Sequence, residues 1–505
     1  MNPQEAYDEL IGITREAATL GSAASVLHWD EQTYMPEAAG AFRSSQLAVL
    51  ARLTHERFTA PRVGELLAAC EGSDLVADAT SDAAVVVRET RRDYDLKTKL
   101  PTSLVEEMAR TDSLAQAAWA KARKRNAFTE FSPWLEKQYE LKRQEADCYG
   151  HDGTRYNALL DQYEPGAKVS DIEAVFESLR GPLVDLVGKI TGSAKKAPGV
   201  FHGHFPAEQQ KAFSEVAAKK IGYDFAAGRL DGTVHPFCTG LGPGDTRITT
   251  RYQEDFFGDC FFSVLHEAGH AMYEQGLPKA THFGTPLAEA DGLGMHESQS
   301  RMWENLMGRS AAFWQHFTPD AKKTFAAFKD VSAEQIVFAA NDIQPTFIRT
   351  ESDEATYNLH ILIRFELEQA LLNKDLSVAD LPGAWNEKMQ TYLGITPPDD
   401  ARGCLQDVHW SAGLVGYFPT YTLGNLYAAQ LFEAARRQLG DLDAMFAAGE
   451  FSPLLTWLRE NIHHHGRRYA PKALIKRVTG TEPSAEPLLK HLRAIGERYY
   501  GVKSD

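Results

Sequence analysis

Residues 261–278 read FFSVLHEAGHAMYEQGLP, and the five residues His266-Glu267-Ala268-Gly269-His270 constrain the fold more than any other stretch of this 505-residue chain. Two histidines four residues apart act together only on a helix, where that spacing is slightly more than one turn and sets both imidazoles on one face, able to grip a single Zn2+. Asp259 is expected to cap a helix that begins near Cys260, and Gly276 followed by Pro278 supplies its stop. Glu267 points about a third of a turn away, too far round to be the natural third ligand but able to reach a water held by the ion. Phe262, Leu265, Ala268 and Met272 can seat the helix against a core. Gly269 costs roughly 1 kcal/mol relative to alanine inside a helix, which implies that another backbone or a ligand comes close.

In a chain with 17 histidines the motif could arise by chance, so a third ligand matters. Downstream, in EADGLGMHESQSRMWEN, Glu297 follows His270 by 26 intervening residues and can complete a two-His, one-Glu site that leaves a fourth position to water. Spacing alone leaves Glu289, Asp291 and Glu304 as alternatives. His296 points in another direction from its neighbour Glu297 and is expected to support the site without ligating. Such a site lowers the pKa of water to about 7, with Glu267 accepting the proton during attack on a carbonyl; the reaction class is metal-assisted amide hydrolysis. Donors for the developing oxyanion must come from Tyr, His or Arg outside this helix.

Elsewhere the pattern is mostly helical, as in YNLHILIRFELEQALLN, where Leu359, Ile361, Leu362, Phe365, Leu371 and Leu372 recur mostly at three- and four-residue steps. The Gly/Pro/Ser/Lys-rich stretch 192–206 is a candidate subdomain break, read as a connection inside one large fold. Residues 234–253, VHPFCTGLGPGDTRITTRYQ, read as a hairpin, with Arg247, Thr249 and Arg251 on one face and Ile248, Thr250 and Tyr252 on the other. Its strand before HEAGH either offers a free edge to an extended peptide or covers a core edge. A net charge of -16 argues against nucleic-acid and anionic-membrane partners. Five scattered cysteines without a CxxC pair, no basic-then-apolar amino terminus and no run of roughly 18 apolar residues point to a soluble cytoplasmic protein.

Around HEAGH stand His235-Pro236-Phe237, Asp245-Thr246-Arg247-Ile248-Thr249, His296-Glu297-Ser298-Gln299, Ile348-Arg349-Thr350-Glu351-Ser352-Asp353 and Gly403-Cys404-Leu405-Gln406-Asp407-Val408-His409-Trp410, with WDEQTYMP at 29–36 and GYFPTYTLGN at 416–425. In their order these motifs resemble the Taq carboxypeptidase family of zinc metallocarboxypeptidases across the whole chain. Ser352 stands where the family usually has Ala, a change that leaves Arg349 and Asp353 in register.

The resemblance implies one Zn2+ per chain, with Co2+ a possible substitute, held by His266, His270 and Glu297, and Glu267 as general base. It implies removal of single residues from the carboxyl ends of peptides with broad specificity; the rival readings are an endo-acting zinc oligopeptidase and a zinc-retaining, non-catalytic peptide binder. Substrates would carry a free terminal carboxylate, for which Arg349 is the first candidate partner, since a guanidinium binds a carboxylate through two parallel hydrogen bonds. Its structural alternative is an ion pair with Glu351 or Asp353. Arg247 is a second candidate, with a structural alternative as the ion-pair partner of Asp245, and Arg402 is a third. His409 and Tyr421 are the expected donors near the reaction centre and His235 the expected cleft residue, with Gln406 and Asp407 orienting their neighbours. The plain alternatives are a hydrogen-bonded core histidine and a buried tyrosine. The implied fold is mainly α, a large helical zincin-like body with a deep groove and a small β-sheet beside the active site, forming one catalytic domain over 1–505 and a homodimer by analogy. The run ENIHHHGRRY at 460–469 points its histidines in three directions and is read as structural.

Overall fold

Apolar residues at helical spacing put most of the chain into helices, and a computed structural model describes residues 2–503 of it. One large apolar core takes in side chains from Ala115 to Tyr500. The stretch 192–206 runs irregularly between the helices Val169–Thr191 and Ala207–Ile221, and Val187 and Ile190 before it share that core with Phe201 and Phe205 within it and Phe213 and Ala217 after it. Three of the first four long helices, Pro3–Thr33, Pro61–Cys70 and Asp82–Thr98, gather a smaller core of their own around Leu10, Ile13, Val63, Leu66 and Leu67, while Gly40–Phe58 packs on the first of them without burying a residue. Ion pairs help tie this region to the body, among them Arg92 to Asp161 at 2.6 Å and Arg467 to Asp93 at 2.6 Å.

The expected hairpin is present as β2 (Cys238–Gly242) and β3 (Asp245–Thr250), with an added strand, β1 (Leu230–Gly232), in the order β1-β3-β2. β3 runs parallel to β1 and antiparallel to β2, so it is central, and the free edge expected of it belongs to β2 instead. Three residues, LDG, carry too little alternation for β1 to announce itself. Arg251 and Tyr252 lie beyond β3.

The HEAGH helix spans Phe257–Gly276, beginning three residues earlier than expected. Asp259 is therefore inside its first turn and is no cap; its carboxylate pairs with Arg251 at 3.0 Å, and the cap position is the extended Phe256. The beginning is fixed by aromatic packing: Phe257 stacks on Phe261 at 5.0 Å and meets Phe205, Phe325 and Phe328. Rings at such spacing add roughly 0.5–1.5 kcal/mol per pair beyond their burial, enough to outweigh a missing cap. The helix Glu354–Asn373, by contrast, has a strong cap, the Asp353 carboxylate accepting from the amides of Ala355 and Thr356 at 2.9 Å.

Candidate metal centre

On the HEAGH helix His266 and His270 face the same way, with ring centroids 4.9 Å apart, and Leu265, Ala268 and Met272 are fully buried beneath them. Glu297 comes from the helix Leu293–Arg301, and its Oε2 lies 3.8 Å from His266 Nε2 and 3.5 Å from His270 Nε2. Four ligands at tetrahedral angles and bonds of about 2.0–2.1 Å sit about 3.3–3.5 Å from one another, so the three side chains fit a single small divalent ion. Among the described residues they are the one such group of three.

Two glycines set this spacing. A Cβ on Gly269 would fall 2.6 Å from Ser300 Cα and 2.7 Å from Gln299 O, and one on Gly424 would fall 2.6 Å from Glu297 Cβ and Cγ. The Glu297 helix is thus clamped between the HEAGH helix and the helix Pro419–Leu439, which explains the glycine cost noted at position 269.

Glu304 stands on a π-helical turn, Met302–Met307, where its Oε2 accepts a hydrogen bond from His266 Nδ1 at 2.9 Å and its Oε1 accepts from Arg309 at 3.0 Å. That bond places the proton on Nδ1 and leaves the Nε2 lone pair to the ion. Arg301 donates to Glu297 Oε1 at 2.7 Å and to Glu304 at 3.2 Å, and its guanidinium lies 4.6 Å from the Tyr357 ring. Burial works against both carboxylates, but Arg301, with His266, holds them well below the usual range. Burial lifts Glu267 to about 7, with His266 opposing, and takes His270 down to about 3, with His296 assisting.

His270 has no matching support: its Nδ1 is buried without a hydrogen-bond partner, and its ring stacks on His296 at 4.4 Å. His296 itself bonds to Glu274 at 3.0 Å, which agrees with a supporting place beside the ligands. Glu289 pairs with Arg467 at 3.2 Å, and Asp291 is buried 4.0 Å from the same guanidinium. His463 of the HHH run bonds Gln299 at 3.0 Å and packs on Tyr273, away from the three ligands.

A second cluster forms around Arg349, which is buried. Its Nε and Nη2 donate to Asp407 Oδ1 at 3.0 and 2.8 Å and its Nη1 to the Tyr357 hydroxyl at 2.9 Å, so the expected alternative partners Glu351 and Asp353 are replaced by Asp407. Asp407 Oδ2 also accepts from the wholly buried Arg364 at 2.7 Å, while Gln406 Oε1 accepts from the Arg349 amide and from Arg364, each at 2.8 Å. The Arg349 guanidinium lies 5.1 Å from the Tyr421 ring, and the Tyr421 hydroxyl is 3.3 Å from His409 Nε2. Burial lowers His409 to about 4 and raises Tyr421 well above its ordinary value, so the first is a neutral imidazole and the second a protonated phenol near neutrality.

Three further positions fall outside the cluster. Arg247 makes a two-point ion pair with Asp245 at 2.9 and 2.7 Å and lies 4.2 Å from the Trp29 ring, the hairpin-positioning alternative. Arg402 is exposed and pairs with Asp399 at 2.7 Å. His235 is exposed just ahead of β2, and among the described residues it makes no side-chain hydrogen bond or ion pair. Sequence reasoning passed over Arg301, Tyr357 and Arg364. Tyr357 joins the two clusters, taking Arg301 on its ring and Arg349 on its hydroxyl.

A helical body, a small sheet beside the HEAGH helix and a two-His, one-Glu cluster define a metallopeptidase. The chain belongs to the Carboxypeptidase Taq (M32) metallopeptidase family, whose model matches residues 9–495, and is a metallocarboxypeptidase. It is 48% identical to thermostable carboxypeptidase 1 of Thermus thermophilus, with 99% of this chain and 100% of that one covered, and 40% identical to carboxypeptidase 1 of Bacillus subtilis, with 96% of each covered. Among solved structures, the M32 carboxypeptidase from Deinococcus radiodurans R1 superposes with a TM-score of 0.95 at 40% identity over 99% of this chain and 100% of that chain. Metallocarboxypeptidase 1 of Trypanosoma cruzi gives 0.93 at 33% identity over 98% and 99%.

Proposed function

We propose that this enzyme releases single residues from the free carboxyl ends of peptides with broad specificity, using Zn2+, or Co2+ in its place, held by His266, His270 and Glu297. The reading extends to one catalytic domain over residues 1–505 acting as a cytoplasmic homodimer; no helix among the described residues is long and apolar enough to cross a membrane.

The observation that carries the exopeptidase reading is the charge of the second cluster. Two buried guanidiniums, Arg349 and Arg364, share the single carboxylate of Asp407. One positive charge therefore remains uncompensated in a low-dielectric place, linked to Glu297 through Tyr357 and then Arg301. A substrate's terminal carboxylate meets that charge at Arg349, the guanidinium that bonds Tyr357, while Asp407 and Gln406 keep the fork in one orientation.

The bound ion supplies Lewis acidity at the scissile carbonyl and makes water acidic enough to lose a proton near neutrality. Glu267 takes that proton and delivers it to the departing amine, a task suited to a buried carboxyl next to His266 on the same helix. The Tyr421 hydroxyl donates to the developing oxyanion, with neutral His409 accepting from or donating to it at 3.3 Å to fix its direction. The peptide backbone has an edge to lie along. Thr249 of β3 donates its amide to the Phe237 carbonyl, so by alternation the amide and carbonyl of Cys238 face away from β3.

The test is a product time course on an amino-blocked peptide with a free or an amidated carboxyl end, before and after chelation and with metal restored. Stepwise loss of single terminal residues, confined to the free acid and dependent on metal, is expected. Efficient cleavage of the amidated peptide at an internal bond overturns the exopeptidase reading.

A further inference from the structure

A cavity of about 790 Å3 opens among the helices Ala311–Thr324, Pro419–Leu439 and Glu486–Ile495, and none of the metal-centre or Arg349-cluster residues described above, apart from Arg309, lines it. Much of its wall is small and apolar, with Ala311, Ala312, Ala429 and Ala444 leaving room beside the Phe432 ring.

Its carboxylates are already engaged. Glu433 holds Lys490 at 2.5 Å, Asp443 holds Arg436 at 2.7 Å, and Asp441 accepts the Ala444 amide at 3.0 Å as a helix cap. Two of the polar groups left over, Arg498 and Asn305, offer donors. Arg498 has no carboxylate partner among the described residues, and its guanidinium lies only against the Tyr499 ring at 5.3 Å. Asn305, 4% exposed, accepts from Arg309 Nε at 2.9 Å. A guanidinium can only donate, so that contact identifies the Asn305 oxygen and leaves its NH2 as the unpartnered end in the cavity wall. The 14-residue helix starting at Ala311 has its Phe313 amide capped by the Ser310 hydroxyl at 3.1 Å, and adds the amides of Ala311 and Ala312 at the positive end of its dipole.

Unpaired donors in an apolar-walled cavity of this size match an acidic head on an apolar body. We infer that the cavity is a binding site for a small organic acid, its carboxylate held by Arg498, the Asn305 amide and the helix amino terminus, and its body lying on Phe432 and the alanines. The site stands behind the metal centre: Arg309 in its wall donates to Glu304, which in turn holds His266.

Octanoate is the probe, titrated calorimetrically into the metal-loaded full chain, with octanamide as the head-free control. One saturable octanoate site is expected, with octanamide at least tenfold weaker. Arg498→Gln should weaken octanoate at least tenfold while peptide hydrolysis and melting temperature stay unchanged, and Ala444→Trp should fill the cavity and abolish binding. Absence of saturable binding, equal binding of octanamide, or octanoate binding that survives both substitutions would each overturn the assignment. The last outcome would place the acid elsewhere, the metal centre included. None of these readouts depends on where peptides are cut.

Discussion

The metal centre and the Arg349 cluster are built in opposite ways. At the metal centre His266, Glu267 and His270 lie within five consecutive residues of one helix, and each neighbouring guanidinium, Arg301 and Arg309, is paired with a carboxylate, Glu297 or Glu304. Around Arg349, residues from three separated stretches converge, and the charges do not cancel, with two guanidiniums on one carboxylate. The first site still offers a carboxyl, Glu267, and imidazole nitrogens to a cation, whereas the second is stabilised by an incoming anion. In the function proposed above, the first arrangement breaks a bond and the second selects which bond.

Removing the base should produce the largest effect and leave the second cluster untouched. Glu267→Gln is expected to lower kcat by about 10²–10⁴-fold with unchanged metal content by elemental analysis; a variant of normal activity would remove Glu267 from its role. The next largest effect strikes the unbalanced cluster. Asp407→Asn leaves two buried guanidiniums facing each other and should cost about 3–5 kcal/mol of stability in denaturant titrations. An unchanged midpoint would mean that the charges are not as confined as their burial indicates.

The support of the two histidines differs as well, since Glu304 backs His266 and no acceptor backs His270. Glu304→Gln should therefore weaken metal binding about 10–100-fold in competition with a chelator, although no ligand is altered. A dissociation constant equal to that of the parent protein would show that the Nδ1 bond contributes nothing.

A pH-dependent effect concerns how the Glu297 helix is held. Glu164 accepts from the Gly294 amide at 3.0 Å and from Tyr427 at 2.9 Å, and burial raises its carboxyl to about 8. With the folded value above the unfolded one, near 4.5, the folded state keeps a proton that the unfolded state has lost. Its stabilising contribution is complete below about pH 4.5 and declines as pH rises toward 8, by about 1.4 kcal/mol per unit at most. Glu164→Gln should flatten the dependence of stability on pH between 5 and 8; an unchanged slope would assign that dependence to other groups.

What was legible in the sequence follows the same division. His266, Glu267 and His270 are related by helix geometry alone, and Gly269 marked the close approach that Ser300 makes. Glu297 and Glu304 were harder to tell apart, because two carboxylates seven residues apart differ only in which imidazole nitrogen they face. Asp259 looked like a cap, but capping signals do not register a competing Arg251 or a run of stacked rings at Phe257. Arg364 gave one unused signal, a charged residue inside the apolar run LHILIRF, where a guanidinium must be buried and so must be paired. Tyr357 gave none, since its two cationic partners are brought to it only by tertiary packing.

The claim that Arg349 reads the terminal carboxylate is tested most directly by the ratio of kcat/KM for a free-acid peptide to that for its amide, in the parent enzyme and in Arg349→Ala. Asp407 and Arg364 remain a balanced pair in that variant, so folding should survive. A high ratio in the parent that falls toward one in the variant, through loss on the free acid alone, is the predicted result. An undiminished preference for the free acid in the folded, metal-loaded variant would contradict it.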